Sequence, residues 1–248
     1  MICHIEEQQL RGVNIICDFD GTIALEDVTD SLLERFADPS WVHIEEQWLA
    51  GRFGSRECMA RQVSLIEANC RELDRYLDTV EIDSAFPSFV QACERSGNIA
   101  LNVVSDGIDY AVKRILANHA LTRLRVQANA LIALPGHRYR LAFPHSASDC
   151  GVRAGTCKCA IARNDVMASR NSPATILIGD GTSDFCVASR ADFVFAKDRL
   201  LAHCRANAIP HLPFDNFSDI ERELAQVVGG FHRSVQSAHH HMETPSDA

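Results

Sequence analysis

At 248 residues, 46% of them hydrophobic and 23% charged, the chain suits one folded domain with room for an insertion, which excludes a fibrous or disordered polymer. A formal net charge of −9 excludes a general grip on nucleic acid, so an acidic chain that handles an anion must gather cations, amides or a metal locally. Residues Met1 to Leu10 are charged without an apolar signal core, no stretch is long enough to span a bilayer, and ten cysteines read as reduced thiols, so a cytoplasmic location with no membrane partner is expected.

The first predicted element is a buried strand, Val13–Cys17, which runs into Asp18-Phe19-Asp20-Gly21-Thr22. A strand end holds a carboxylate rigidly, and the glycine lets the chain turn away and leave room for a ligand. From 26 to 83 the pattern turns helical. Trp41, Ile44 and Trp48 share one face, and Met59, Val63 and Ile66 another, with Ser40 and Ser55 as expected N-caps. This segment is expected to be a helical cap, placed to exclude water and select substrate. Three further strands are predicted at Ile99–Val104, Thr175–Ile178 and Phe193–Phe195. Between them lie a helical stripe of Ile108, Val112, Ile115 and Leu116, and a weaker one of Ala160, Ile161 and Met167. The stretch 124–150 alternates around Pro135-Gly136 and predicts a β-hairpin. Beyond Gly230 the chain is polar, and the tail 231–248, with His239 to His241, is expected to be disordered.

Strands alternating with helices predict an α/β fold: a Rossmann-like parallel sheet with helices on both faces, built from 11–25 and 84–230, with the cap inserted after the first strand. Ligands in such folds bind beyond the carboxyl ends of the strands. The polar motifs collect there. Ser105-Asp106-Gly107 follows the second strand, where a hydroxyl and amides at a helix start suit phosphate oxygens. Lys158 stands beside a helix start. Gly179-Asp180-Gly181-Thr182-Ser183-Asp184 spaces two carboxylates four apart on a loop entering a helix, with Thr182 or Ser183 as cap. Asp18, Asp180 and Asp184, with a backbone carbonyl near Asp20, suit Mg²⁺, which takes few carboxylates and completes its octahedron with water and phosphate oxygens.

In this order the four motifs resemble those of haloacid dehalogenase superfamily phosphatases, over about residues 13 to 230, and the insertion resembles the helical cap of the phosphoserine phosphatase-like branch. The resemblance implies that Asp18 attacks phosphorus to form an aspartyl-phosphate and that Asp20 acts as acid and then base. It also implies that Ser105, Asp106 and Gly107 hold the transferring group, that Lys158 neutralises it, and that Asp18, Asp20, Asp180 and Asp184 form the Mg²⁺ site.

Within that branch the chain is similar to the methionine-salvage phosphatases acting on 2-hydroxy-3-keto-5-methylthiopentenyl-1-phosphate. The matching features are Asp27 nine residues after Asp18, Phe143-Pro144-His145-Ser146, cysteines around Lys158, Phe195 to Leu201, Leu212-Pro213-Phe214 and Phe217 to Ile220. Asp27 is expected in the substrate pocket, where phosphoserine phosphatases carry a glutamate that meets an ammonium group; phosphoserine, phosphoethanolamine and phosphocholine are the alternative substrates. Arg52, Arg56 and Arg61 are candidates for a second anionic group. A phosphomutase and a phospho-Asp receiver module are the competing readings. Cys150, Cys157 and Cys159 with His145 supply zinc-type ligands, but their spacing lacks a CxxC pair, and reduced structural thiols are expected instead.

Overall fold

The computed structural model describes residues 12–168 and 173–242. Its elements are β1 (Val13–Cys17), α1 (Val28–Phe36), α2 (Trp41–Leu49), α3 (Ser55–Val63), α4 (Cys70–Leu77), α5 (Phe86–Ser96), β2 (Ile99–Ile108), α6 (Asp109–Asn118), β3 (Arg125–Leu134), β4 (Arg138–Ala142), α7 (Lys158–Ala168), β5 (Ala174–Gly179), α8 (Phe185–Ala188), β6 (Phe193–Ala196), α9 (Asp198–Ala206), β7 (His211–Pro213) and α10 (Phe217–Met242).

One seven-stranded sheet runs in the order β4-β3-β2-β1-β5-β6-β7. Every neighbouring pair is parallel except β3 with β4, the hairpin predicted around Pro135-Gly136. The chain steps from β1 outward through β2 and β3, then returns to the other side of β1 with β5. β1 therefore marks the switch point at which open α/β sheets bind ligands.

Residues of the central strands alternate between two apolar clusters, because successive side chains point to opposite faces. Val13, Ile15 and Cys17 of β1, with Ile176 and Ile178 of β5, face one cluster. Ile16 and Leu177 face the other, with Val194 of β6 and Ile161 of α7. Burial on both faces explains why these runs read as continuous apolar stretches.

The 26–83 segment forms α1 to α4. Its two ends lie side by side: Ala24 bridges Ile82, Leu25 N–H donates to the Glu81 carbonyl at 3.1 Å, and Asp83 N–H donates to the Ile23 carbonyl at 2.9 Å. Leu32, Leu33, Val63, Ile66, Leu73 and Leu77 join the same apolar cluster as β1. The segment thus shares its core with the sheet.

Several local expectations need correction. β2 continues past Val104 to Ile108, so Ser105-Asp106-Gly107 sits on an irregular strand end, not at the start of α6, and its register against β3 shifts between Val104 and Ile108. Such a bulge re-aims side chains beside a site. Ser40 occupies the N-cap of α2 without a side-chain cap bond, and Gly54, not Ser55, caps α3. Met167 is exposed, so the weak stripe on α7 rests on Ile161. The short edge strand β7 was not expected. Helix α10 continues to Met242, through most of the stretch expected as disordered tail. Leu224, Val227, Val228 and Phe231 recur at helical spacing and pack on the core, a stripe that the polar composition around them hid. Residues 243–248 of that tail, and Met1 to Leu10, lie outside the described residues. Among the described residues no helix is long and apolar enough to cross a membrane.

Candidate active site

Four chain segments meet beyond the carboxyl end of β1. Asp18 follows the strand directly and is fixed by its neighbours: Phe19 N–H donates to its Oδ1 at 2.8 Å, and Lys158 Nζ lies 2.6 Å from its Oδ2. Lys158 is the first residue of α7, and its Nζ also reaches Asp184 Oδ1 at 2.6 Å and Ser183 Oγ at 3.1 Å. Burial alone would discharge this lysine, but the Asp18 and Asp184 carboxylates outweigh it and hold its pKa above the usual lysine value. The Asp184 carboxyl is pushed well up, by burial first and then by the Asp18 charge.

Asp180 directly follows β5, the strand that pairs with β1: Thr22 Oγ1 donates to its Oδ1 at 2.7 Å, so the first motif holds the fourth in place. Asp18, Asp180 and Asp184 each offer an oxygen within 4.8 Å of the others. Gly21 makes this approach possible. Its φ is +67°, and a Cβ there would stand 2.6 Å from Asp180 Oδ2.

Asp20 faces the other way. Its Oδ1 accepts from Val28 N–H at 2.9 Å and its Oδ2 from Ser105 Oγ at 3.1 Å. Burial, reinforced by the charges of Asp27 and Asp18, raises its pKa well above the ordinary carboxylate range. The Ser105 hydroxyl accepts in turn from Gly107 N–H at 2.8 Å, and a Cβ on Gly107 would come within 2.6 Å of Asp20 Oδ2. Asp20 is therefore held by Val28 and Ser105, and its side chain stands outside the carboxylate trio.

Asp106 is a junction. It accepts from Ser55 Oγ of α3 at 2.9 Å, from Thr156 N–H at 2.8 Å and from Asn129 Nδ2 of β3 at 3.2 Å. Burial raises its pKa while these bonds work against the rise. Ser55, expected as a helix cap, instead ties the inserted helices to the Ser105-Asp106-Gly107 loop.

Asp18, Asp20, Asp106, Gly107 and Asp180 line a cavity of about 370 Å³, while Ser105, Lys158 and Asp184 stand buried behind them. Asp27 lines it too, and its side chain also caps α1 by accepting from Asp30 N–H at 2.9 Å. The wall from the inserted helices adds Thr29, Asp30, Glu45, Trp48, Ser55, Cys58, Met59 and Gln62. Asp30 keeps contact with solvent, yet burial first and then the Asp27 and Glu45 charges raise its pKa to about 6. Arg52, Arg56 and Arg61 are not on this wall; Arg61 pairs with Glu57 and lies over Phe53, and Arg199 of α9 is the arginine that reaches the cavity.

Sequence reasoning missed Ser55, Asn129, Thr156, Ser183 and Arg199 as site residues. Asn129 carried little signal, because Arg125 and Gln127 share its face of β3 and its polarity does not stand out there. Cys150, Cys157, Cys159 and His145 do not converge on a metal site: among the described residues, the trio of aspartates is the one group of three or more metal-type donors.

A family model for haloacid dehalogenase-like hydrolases matches residues 15–189, spanning all four motif loops. The chain belongs to the haloacid dehalogenase-like hydrolases. Its curated relatives include the 2-hydroxy-3-keto-5-methylthiopentenyl-1-phosphate phosphatase of Exiguobacterium sp. (strain ATCC BAA-1283 / AT1b), 35% identical over 87% of this chain and 99% of that one. The enzyme of the same name from Bacillus cereus (strain ATCC 14579) is 31% identical over 86% of this chain and 96% of that one. Among solved structures, a phosphoserine phosphatase with a phospho-aspartyl intermediate analogue matches with TM-score 0.60 at 18% identity, covering 86% and 98% of the two chains. A probable phosphoserine phosphatase from Vibrio cholerae matches with TM-score 0.65 at 17% identity, covering 88% and 68%. At such identities these two structures speak for the fold of this hydrolase, an α/β sheet with a helical insertion after the first strand.

Proposed function

We propose that this hydrolase cleaves a small phosphomonoester through an aspartyl-phosphate on Asp18, with 2-hydroxy-3-keto-5-methylthiopentenyl-1-phosphate as its substrate. The observation that carries the chemistry is the pairing of two carboxylates with opposite surroundings. Asp18 sits against the Lys158 cation, while at Asp20 desolvation and the Asp27 and Asp18 charges favour the protonated carboxyl. One suits a nucleophile and the other an acid for the departing alkoxide.

Asp18, Asp180 and Asp184, with the Asp20 backbone carbonyl, would hold Mg²⁺; their hard oxygen donors and close approach fit that ion. When bound, Mg²⁺ lowers the repulsion between the attacking carboxylate and the phosphate. The protein does the rest. Lys158 offsets charge on Asp18 and the transferring oxygens, and the Ser105 hydroxyl and the Asp106 amide cradle that group. Asp20 protonates the leaving oxygen and then takes a proton from the water that hydrolyses the intermediate. The insertion 26–83, acting as a cap, covers the cavity and excludes bulk water.

The cap wall supports the substrate choice. Trp48, Cys58 and Met59 offer a soft, polarisable surface to a thioether, and Thr29, Ser55, Gln62 and the acidic groups offer partners for hydroxyls. The relatives' shared name points the same way. A second reading has its own observation: Asp27, Asp30 and Glu45 make an acidic wall that suits the ammonium of phosphoserine, phosphoethanolamine or phosphocholine.

Phosphate release measured with Mg²⁺ over these four compounds decides between them. The methylthiopentenyl ester is expected to give the highest kcat/KM; fastest turnover of an amine-bearing ester overturns the assignment. For the chemistry, Asp18→Asn is expected to abolish turnover. Asp20→Asn is expected to accumulate phosphorylated protein with an activated aryl phosphate, because the step that breaks the intermediate down loses its base. Intact-mass measurement showing no adduct in that variant would refute the covalent route.

A further inference from the structure

Cys159 and Cys186 take no part in the cavity chemistry, yet their Sγ atoms lie 2.9 Å apart, closer than sulfurs in ordinary contact. Cys159 is the second residue of α7, next to Lys158, and is buried. Cys186 is the second residue of α8, two beyond Asp184, and is half-buried. Cys186 also lines a surface groove of about 900 Å³ between α8 and α9, together with Val152, Phe185, His203 and Ile209. One thiol is thus reachable by a small oxidant, and its partner waits behind it. That arrangement of an accessible attacking thiol and a resolving one is what reversible oxidation requires. Cys150 and Cys157 are both buried, and neither lines that groove.

We propose that Cys159 and Cys186 form a reversible thiol–disulfide site oxidised by hydrogen peroxide. The Cys186 thiolate attacks one peroxide oxygen; the O–O bond breaks, an S–O bond forms, and the departing oxygen leaves as water, giving a sulfenic acid. The Cys159 sulfur then attacks the Cys186 sulfur; the S–S bond forms, the S–O bond breaks, and a second water leaves. Two thiols lose two electrons and two protons, and one peroxide becomes two waters. A dithiol reductant reverses the change by thiol–disulfide exchange. Disulfides of this transient kind are the ones found in reducing compartments.

The site has a consequence for catalysis because of the elements that it joins. α7 begins with Lys158, and α8 follows Asp184 directly; these two residues touch at 2.6 Å. Drawing the sulfurs from 2.9 Å to covalent distance shifts the two elements against each other, and both carry groups that contact Asp18 or the phosphate region. A misplacement approaching an ångström can cost up to about 100-fold in rate. The oxidised protein is therefore expected to turn over tenfold or more slowly.

The test treats the full-length protein with a small excess of hydrogen peroxide and reads two quantities: the cross-linked peptide by non-reducing mass spectrometry, and Mg²⁺-supported hydrolysis of p-nitrophenyl phosphate. A peptide linking Cys159 to Cys186, a rate loss of about tenfold or more, and recovery of both with dithiothreitol are expected. Cys159→Ser and Cys186→Ser are expected to keep the untreated rate, and to hold it within about twofold under peroxide. A link to Cys150 or Cys157, no link at all, a link without loss of rate, or equal peroxide sensitivity in both serine variants overturns the proposal. Should a serine variant fold poorly, the wild-type linkage and its reversal still decide. The linked peptide is read by mass, so its outcome does not depend on which phosphomonoester the enzyme uses.

Discussion

Lys158 settles the charge balance of the site. Its Nζ touches Asp18 and Asp184 at 2.6 Å each, and all three side chains are buried. Removing one partner from such a network leaves uncompensated charge in a poor solvent, which typically costs about 3–5 kcal/mol. Lys158→Met is expected to lose stability of that order in metal-free urea denaturation, and to lose at least about 100-fold in turnover. Added Mg²⁺ should restore part of the stability, because it supplies positive charge to the same carboxylates, but not the rate. Recovery of full activity by Mg²⁺ would reduce the lysine to a counter-ion. Lys158 and the aspartates were readable from the chain because each stands at a strand end or helix start. Ser55 and Thr156 were not, because they matter only once the inserted helices and the loop between β4 and α7 have been set against Asp106 at the end of β2.

At the level of elements, the seat of the inserted helices is built from small contacts. Ser55 Oγ donates to Asp106 at 2.9 Å, Arg56 N–H donates to the Arg153 carbonyl at 3.0 Å, and a Cβ on Gly54 would stand 2.6 Å from Arg153 Cβ. That last clash involves an atom tied to the backbone, so it cannot be relieved by swinging a side chain. Gly54→Val is expected to displace the start of α3, raising KM and lowering kcat about tenfold, and to lower the melting temperature as well, because Val63 of α3 belongs to the core. Ser55→Ala removes a single hydrogen bond, worth about 1 kcal/mol, and is expected to cost only about fivefold in kcat/KM. The attachment of α10 works differently. Phe217 packs on Phe86 with ring centroids 4.7 Å apart and on Phe89 at 5.2 Å, and its N–H donates to Asp83 Oδ2 at 3.0 Å, where the chain leaves the insertion. Phe217→Ala is expected to destabilise the protein by about 3–5 kcal/mol in urea denaturation, with kcat/KM preserved where the fold persists.

For the molecule as a whole, the central strands were legible because burial on both faces writes long apolar runs into the chain. The three-residue edge strand β7 and the irregular end of β2 leave no such trace, and the stripe of α10 was masked by the polar residues around it. The convergence of the motifs follows from the parallel sheet itself, which brings successive strand ends to one rim; the cost of crowding carboxylates there is a property of the assembled site. Burial raises the pKa of Asp20, Asp180 and Asp184 in the folded protein. Above the ordinary unfolded value of about 3.9, the folded state then binds more protons than the unfolded one, so stability falls as pH rises. The raised pKa of Lys158 does not offset this trend, because its contribution is fully present below about pH 10 and constant across the neutral range. Metal-free protein is therefore expected to melt at progressively lower temperature from pH 5 to pH 8. Mg²⁺ at about 100 times its Kd should add about 2.7 kcal/mol at pH 8, or roughly 5–10 °C for a chain of this size, and less at pH 5, where protons compete for the same oxygens. Asp180→Asn should remove most of that Mg²⁺ response. Calorimetric scans with and without chelator test all three statements, and a metal-free melting temperature that climbs steadily over this pH range would overturn the account of the crowded carboxylates.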